Sequence, residues 1–342
     1  MPGPSRPRVA RFILRRLALL PPLLLGVSLF LFVLTHLVPA DPAKLIAGEH
    51  AGPDQVAAVR KAFGLDRPLS EQYAVYLGRL AHGDLGTSMR TNSAVLDDLR
   101  TYFPATLELT GAAMLATVAI GVPLGMVGAI GRGGLSDLLA QFASLGGLSF
   151  PIFVFGLLMQ LIFFRWLEWL PLAGRLATGD SPPAHITGLY VVDSLLAGNA
   201  ATLRSALIHL TLPAFTLALA SLAPTARMTR STMLDILTQD FVRTAWAKGL
   251  APIRVYLRHG LRNAFIPVIT ILGLQVSALL GGVFIVELIF AWPGLGLYSV
   301  EGILALDYSA IMGTALLLTA VYVVVNLAVD VTYAVVDPRI RY

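Results

Sequence analysis

The chain has no cysteine among its 342 residues. A disulfide framework, thiolate catalysis and every cysteine-ligated metal site are therefore excluded. Lysine is almost as scarce. Lys44, Lys61 and Lys248 are the only three and none follows a glycine, so the GxxxxGK loop that cradles nucleotide phosphates is missing and the chain cannot hydrolyse a nucleotide by that route. None of the six histidines begins an HExxH, and no serine sits in a GxSxG elbow. Charge is thin as well: Asp, Glu, Lys and Arg make up 13% of the residues, against roughly 25% in a soluble domain.

Apolar sequence fills the space these absences leave. Hydrophobic residues reach 56% and the mean hydropathy is +0.75, which places the chain in a membrane. A bilayer core about 30 Å thick takes roughly 20 apolar residues per helix. Six stretches qualify, near 14–38, 106–130, 138–164, 206–227, 265–289 and 311–335. The expected fold class is an all-α integral membrane protein with six transmembrane helices, a single membrane domain over residues 1–342. Val38-Pro39-Ala40 loosely resembles a signal-cleavage site. The apolar run before it, Leu17 to Val38, exceeds the roughly 7 to 15 residues of a signal core, so it reads as an anchor.

The formal charge of +5 invites a nucleic-acid reading, but the distribution assigns it to topology. With both termini inside, the inner side holds Arg6, Arg8, Arg11, Arg15, Arg16, Arg132, seven basic residues from Arg227 to Arg262, Arg339 and Arg341, 15 of the 25. No basic stripe interleaved with aromatics is present, so nucleic acid is not an expected partner. Paired membrane-depth acids for an intramembrane protease are also missing, because Glu108, Glu287 and Asp330 all lie near helix ends.

Two polar segments interrupt the apolar pattern. Residues 39–104 form a long outer loop in which Asp54 is placed to cap a helix carrying Val56, Val59 and Phe63. Ser70 is placed to cap a second helix with Tyr73, Tyr76, Leu77 and Leu80. Gly83-Asp84-Leu85-Gly86 makes a turn, and Pro104 marks the expected start of the second membrane helix. The loop reads as a small helical cap over the outer face. The second segment, 228–264, is a cation-rich connector between two membrane helices. Asp240 is the expected N-cap of a helix Phe241 to Lys248, with Gly249 as the left-handed residue that closes it and Pro252 opening a second amphipathic helix that ends near Asn263. Phe241, Ala245 and Lys248 fall on one side, a face suited to a partner's groove.

The connector is where the sequence resembles a known family. Arg243-Thr244-Ala245 followed by Gly249 resembles the EAA loop, the coupling element of permease subunits in binding-protein-dependent ABC importers. RTAWAKGL, preceded by MTRSTMLDILTQDF and followed by LRHGLRNAFIPVITILGLQ, is similar to the peptide and nickel branch, most of all to dipeptide permeases. The resemblance runs in order over nearly the whole chain: RFILRRLALLPPLLLGVSLFLFVLTHLVPADP, GLDRPLSEQY, HGDLGTSMR, FPATLEL, ELIFAWPGLGLYSVEGILALDY and VDPRIRY. Two features depart from the general pattern. Arg243 replaces its acid, and His259-Gly260-Leu261-Arg262 stands where Ile-x-Leu-Pro is usual, with the proline later as Pro267, as in the peptide branch. Trp246 also stands where many relatives carry a smaller or basic residue.

The resemblance implies the type I importer permease fold and a non-catalytic subunit of a bacterial or archaeal plasma membrane. Implied partners are a second homologous permease, two ABC ATPases that bind ATP and Mg, and an extracytoplasmic substrate-binding protein. No cofactor is expected in this chain. Asp240 and Gly249 would bound the coupling helix, Arg243, Thr244 and Lys248 would lie along it, and Ala245 would permit close approach. Independently of the resemblance, polar groups at membrane depth are costly unless they face protein or water. Gln275, Glu287, Asn326 and Asp330 are therefore candidates for the translocation path, or for bonds between helices. Trp292, Pro293 and Gly294 form an expected rigid turn at the outer mouth, a candidate gate. Cargo other than dipeptides would be nickel, glutathione or larger oligopeptides. A channel or secondary carrier would show symmetric polar repeats or an internal repeat, and neither is evident.

Overall fold

The computed structural model describes residues 14, 16–37, 42–48, 51–62, 64–149 and 151–336. Arg6, Arg8, Arg11, Arg15, Val38-Pro39-Ala40, Phe63 and the closing VDPRIRY segment from Asp337 on lie outside them. Among the described residues the chain is helical with one isolated bridge, Thr87 to Ala94. Five helices are long and apolar enough to cross a membrane. In chain order the helices are α1 (Leu20–Leu37), α2 (Pro42–Ala47), α3 (Pro53–Ala62), α4 (Leu69–Ala81) and α5 (Val95–Ile130). There follow α6 (Leu135–Ser149), α7 (Ile152–Trp166), α8 (Tyr190–Leu196), α9 (Ala200–Leu237), α10 (Asp240–Ala247), α11 (Pro252–Ile289), α12 (Leu295–Leu304) and α13 (Tyr308–Val336).

The expected span 138–164 is the one that differs in kind. It is built from α6 and α7, each too short to cross alone, because Pro151 adopts φ −56° and ψ 138° and takes the chain out of the helix between them. Two prolines expected at boundaries instead lie inside helices. Pro104 falls within α5, which already starts at Val95, and Pro267 falls within α11, which runs unbroken from Pro252. A π-helical stretch, Val255–Leu261, lies in α11 ahead of Pro267 and carries the expected separate connector helix straight into the membrane span.

By contact the chain divides into two units. The first holds Phe103–Leu297 and Val324–Tyr342, and its centre is α9. In this helix 67% of the most apolar stretch is buried, against 22% for α11. Small residues make that burial possible. Gly121 and Gly125 of α5 lie against Leu222, Thr225, Ala226 and Thr229 of α9 so closely that a Cβ on Gly125 would sit 2.4 Å from the Ala226 carbonyl. Leu109, Leu217, Leu279, Val283, Phe290 and Trp292 complete its core. At about 1.5 Å per residue the 38 residues of α9 and of α11 each extend about 57 Å, well past the hydrocarbon thickness.

The second unit, Arg15–Tyr102 with Tyr298–Val323, joins α1 to the loop helices. Phe32, Tyr73 and Tyr76 pack ring against ring, and Ser28 Oγ shares a 2.9 Å hydrogen bond with Tyr73 OH. Asp307 accepts from Ser88 Oγ at 2.6 Å and from the Ala310 N–H at the start of α13. Asp98 accepts from Thr91 Oγ1 and Tyr298 OH. Ser70 does not cap α4. Pro68 occupies that position, extended at φ −54°, and Ser70 lies one turn residue inside. The expected turn is present, with Gly83 and Gly86 at φ +78° and +86° and Asp84 Oδ1 accepting from the Gly86 N–H.

Candidate functional site

The connector forms a hairpin at the end shared by α9 and α11. α9 stops at Thr238, whose hydroxyl donates to the Asp235 carbonyl, and Gln239 turns extended at φ −73° and ψ 151°. α10 begins at Asp240. The helix is thus shifted one residue from the expected Phe241–Lys248: Gln239 takes the N-cap position, and Asp240 enters the first turn, where its carboxylate pairs with Arg243 at 3.3 Å. Both groups are exposed, so that pair adds little stability. Thr244 is exposed too, its hydroxyl donating back to the Asp240 carbonyl. Lys248 is the C-cap, and Gly249 follows at φ +71°.

Val242 and Ala245 point inward onto Val255, with Ile236, Leu237 and Leu250 around them. This corrects the expected face. Ala245 is buried within the chain itself, where its small side chain lets α10 approach α11, and it is not on the surface a partner would meet. The outward face carries Phe241 and Trp246, 46% and 40% exposed, together with Arg243 and Lys248. Trp246 is steadied edge-on by Tyr256 at 5.8 Å. Two large aromatics and two cations exposed on an eight-residue helix make a surface that gains by being covered.

An ion pair braces α6 against α9 before the connector. Asp137, on the first turn of α6, accepts from Arg230 Nε and Nη2 of α9 at 2.6 and 2.7 Å, from Gln141 at 2.9 Å and from the Gly133 N–H at 3.0 Å. The Arg230 bonds, then the Gly133 and Gln141 bonds, hold the Asp137 carboxyl well below the usual carboxylate range. The folded pKa is depressed, so the bridge contributes fully above about 3.9, the unfolded carboxylate value. That contribution is lost only as pH falls through the depressed value. Arg230→Met is expected to lower the melting temperature of the purified protein at neutral pH. A double-mutant cycle with Asp137→Asn should show less than additive loss; additive losses would mean the two side chains do not act together. This bridge spans 93 residues of sequence and no local pattern announces it.

The polar membrane residues fall into two places. Gln275 Oε1 accepts from Ser221 Oγ at 3.2 Å, tying α11 to α9, and Asn326 Oδ1 accepts from Ser277 Oγ at 3.1 Å, tying α13 to α11. Asp330 is half-buried one turn beyond Asn326. Glu287 lies apart from these and is wholly buried. Its Oε1 accepts from Thr106 Oγ1 at 2.6 Å, and its Oε2 accepts from the N–H groups of Gly296 and Leu297 at 2.6 and 3.2 Å.

The turn after α11 is fastened around that carboxylate. Trp292 is buried and donates Nε1–H to the Ala105 carbonyl at 2.9 Å, and the Leu295 N–H donates to Thr106 Oγ1 at 2.8 Å. Ala291 is left-handed at φ +42°. Gly294 has no room for a side chain, since a Cβ there would sit 2.2 Å from Glu287 Oε1. Pro293 completes the turn between the anchored Trp292 and Gly294. Nearby, Arg175 pairs with Glu108 out of solvent, bonds the Gly188 carbonyl and lies 3.5 Å over the Tyr190 ring. Glu108 also accepts from the Val191 N–H at 2.8 Å. The sequence places Glu108 near a helix end, but nothing in that segment pairs it with Arg175.

Comparison with known proteins places the chain among relatives. Residues 121–342 match the family model of the binding-protein-dependent transport system inner membrane component, and residues 9–110 match that of the N-terminal part of such membrane components. The chain is 46% identical over 315 residues, 92% of its own length and 93% of the relative's, to the probable D,D-dipeptide transport system permease protein DdpB of Escherichia coli K12. It is 43% identical to the dipeptide transport system permease protein DppB of Alkalihalophilus pseudofirmus, covering 97% of this chain and 99% of that one. Identity with the glutathione transport system permease protein GsiC of Salmonella paratyphi A is 39%, again over 97% and 99%.

Proposed function

The chain belongs to the family of binding-protein-dependent transport system inner membrane components, and from that membership we propose that it is one permease half of an ATP-driven importer of dipeptides or other short peptides. It pairs with a second, homologous permease, and the cargo route lies where the two meet. An extracytoplasmic binding protein delivers cargo. Two ABC ATPases, which bind ATP and Mg, dock at α10. The observation that carries this reading is the connector: an eight-residue helix with an inward apolar stripe, exposed Phe241, Arg243 and Trp246 around it and the exposed Lys248 at its end, held at the joined ends of two helices about 57 Å long. Movement at α10 is thereby passed along α9 and α11.

Pairing with a second permease accords with the faces this chain leaves open. α11 is only 22% buried over its most apolar stretch, and Leu274, Ile285 and Leu288 project from it. Helices of a second subunit would cover such surfaces by close packing. The relatives named for dipeptides favour peptide cargo, and the glutathione permease marks the neighbouring choice, itself a tripeptide-like molecule.

Proteoliposomes carrying this chain with its second permease, both ATPases and the binding protein are expected to accumulate a labelled dipeptide only when ATP is supplied. Uptake driven by an ion gradient without the ATPases would overturn the mechanism, and uptake of nickel in preference to peptide would overturn the cargo. The orientation has its own test. Both termini are proposed to face the cytoplasm, so single cysteines at the exposed positions Ser136 and Thr238 should react with an impermeant thiol reagent only after permeabilisation. Cysteines at the exposed Ser70 and Ser181 should react from outside. Labelling at Thr238 from outside would reverse the topology, and the cysteine-free chain gives no background.

A further inference from the structure

The second unit contains a cavity of about 340 Å³ that none of the transport machinery above uses. Its lining includes the apolar Phe32, Val75 and Met312, the aromatic Tyr76 and Tyr308, and the exposed Arg67 and Arg79. The hydroxyls of Tyr76 and Tyr308 are both buried without a hydrogen-bond partner. Both oxygens are shut off from solvent, so the cavity meets the tyrosine rings and not their hydroxyls. Burial first, and then the neighbouring Tyr73, pushes the Tyr76 phenol up to about 12, so it stays a neutral O–H donor at ordinary pH.

The two arginines have the complementary character. Arg67 and Arg79 are exposed, and among the described residues neither guanidinium has a carboxylate partner. The cavity therefore offers two cations without carboxylate partners beside an apolar and aromatic lining, which suits an oxyanion carried on an acyl chain.

Depth in the membrane identifies the source. Phe32 lies in the last two turns of α1, and Tyr308 and Met312 in the first two of α13, so the cavity sits where two apolar spans meet the membrane surface. Tyrosines and arginines at that level face headgroups. We propose that this cavity is a binding site for an anionic phospholipid, its phosphodiester held by Arg67 and Arg79 and one acyl chain lying along Phe32, Met312 and the two tyrosine rings. Such a lipid would fasten α1 and the α4 helix of the loop to the membrane surface, whatever cargo the transporter carries.

The test uses the assembled transporter in nanodiscs of equal phosphatidylglycerol and phosphatidylcholine, extracted into detergent and read by native mass spectrometry. The wild type is expected to retain phosphatidylglycerol over phosphatidylcholine. Arg67→Gln with Arg79→Gln should cut that preference by about fivefold per arginine, and Val75→Trp, which fills part of the cavity, should lower retention of both lipids. Equal retention of the two lipids by the wild type, or an unchanged preference in the double variant, would overturn the proposal. So would displacement of the lipid by millimolar inorganic phosphate alone, which would make the site one for a free anion. Dipeptide uptake is scored separately, so failure of the lipid site leaves the transport reading standing.

Discussion

Replacing Glu287 with leucine is expected to cost the purified protein about 3–5 kcal/mol of stability through the donors it leaves unsatisfied and to lower its melting temperature more than any other single change proposed here. The carboxylate is wholly buried and receives three donors, the Thr106 hydroxyl and the N–H groups of Gly296 and Leu297. Removing the acceptor leaves donors in a water-poor interior, and each unsatisfied one costs roughly 1–3 kcal/mol. Leucine recovers part of this by sparing the desolvation of a carboxyl group, which is why the net falls below the sum. The turn has no cheap alternative. Ala291 already sits at φ +42°, and Gly294 and Gly296 have no room for rearranged side chains.

Glu287→Gln should be milder, since one oxygen remains to accept, although its amide group must then face a donor. The same experiment separates two roles. A cargo-facing Glu287 would lose transport with its melting curve unmoved, whereas the clasp predicts loss of both together. A leucine variant that melts like the wild type would remove the clasp as a structural element.

Glu287 also shows what a sequence displays and what it withholds. A lone acid near the end of an apolar helix is conspicuous, and hydropathy marks it as functional or bonded. Its partners are not conspicuous: two are backbone N–H groups nine and ten residues on, and the third is a threonine 181 residues away. Side-chain patterns carry no record of backbone donors. Arg175 with Glu108 and Arg230 with Asp137 escape for a related reason, being 67 and 93 residues apart on different elements of the chain.

Apolar length was far more legible, because the bilayer imposes it on each helix separately. Where it misled, proline was the cause. Pro151 does break its span, yet Pro104 and Pro267 lie within helices that continue past them. A proline removes one N–H bond, and in packed membrane helices neighbours and π-turns absorb that loss, so the residue alone does not fix a boundary. Helix α10 was legible to within one residue because its ends rest on local chemistry, an extended residue at one end and a left-handed glycine at the other. Which face of α10 turned outward was not, since that depends on Val255, which belongs to the following helix.

That glycine carries the second large effect. Gly249→Val is expected to insert and assemble normally while cargo-stimulated ATP hydrolysis falls by about tenfold, the change that roughly 1.4 kcal/mol produces. Gly249 sits at φ +71°, and a Cβ there would meet nothing within 4 Å. The penalty is therefore conformational, about 1–3 kcal/mol for a side chain forced into the left-handed region and greatest for a β-branched one. It falls on a short exposed segment, where the Gly249 N–H donates to the Trp246 carbonyl and the Leu250 N–H to that of Ala245. Unwinding those two bonds relieves the strain at little cost to the membrane core, but it re-aims Phe241 and Trp246, the exposed aromatics of α10. A graded series distinguishes backbone strain from lost contact: Gly249→Asn, which tolerates the left-handed region, should stay near wild type, Gly249→Ala should be intermediate and Gly249→Val lowest. Full cargo-stimulated hydrolysis and uptake in the valine variant, or an asparagine variant as impaired as the valine one, would remove α10 as the point where ATP hydrolysis is coupled to the membrane helices.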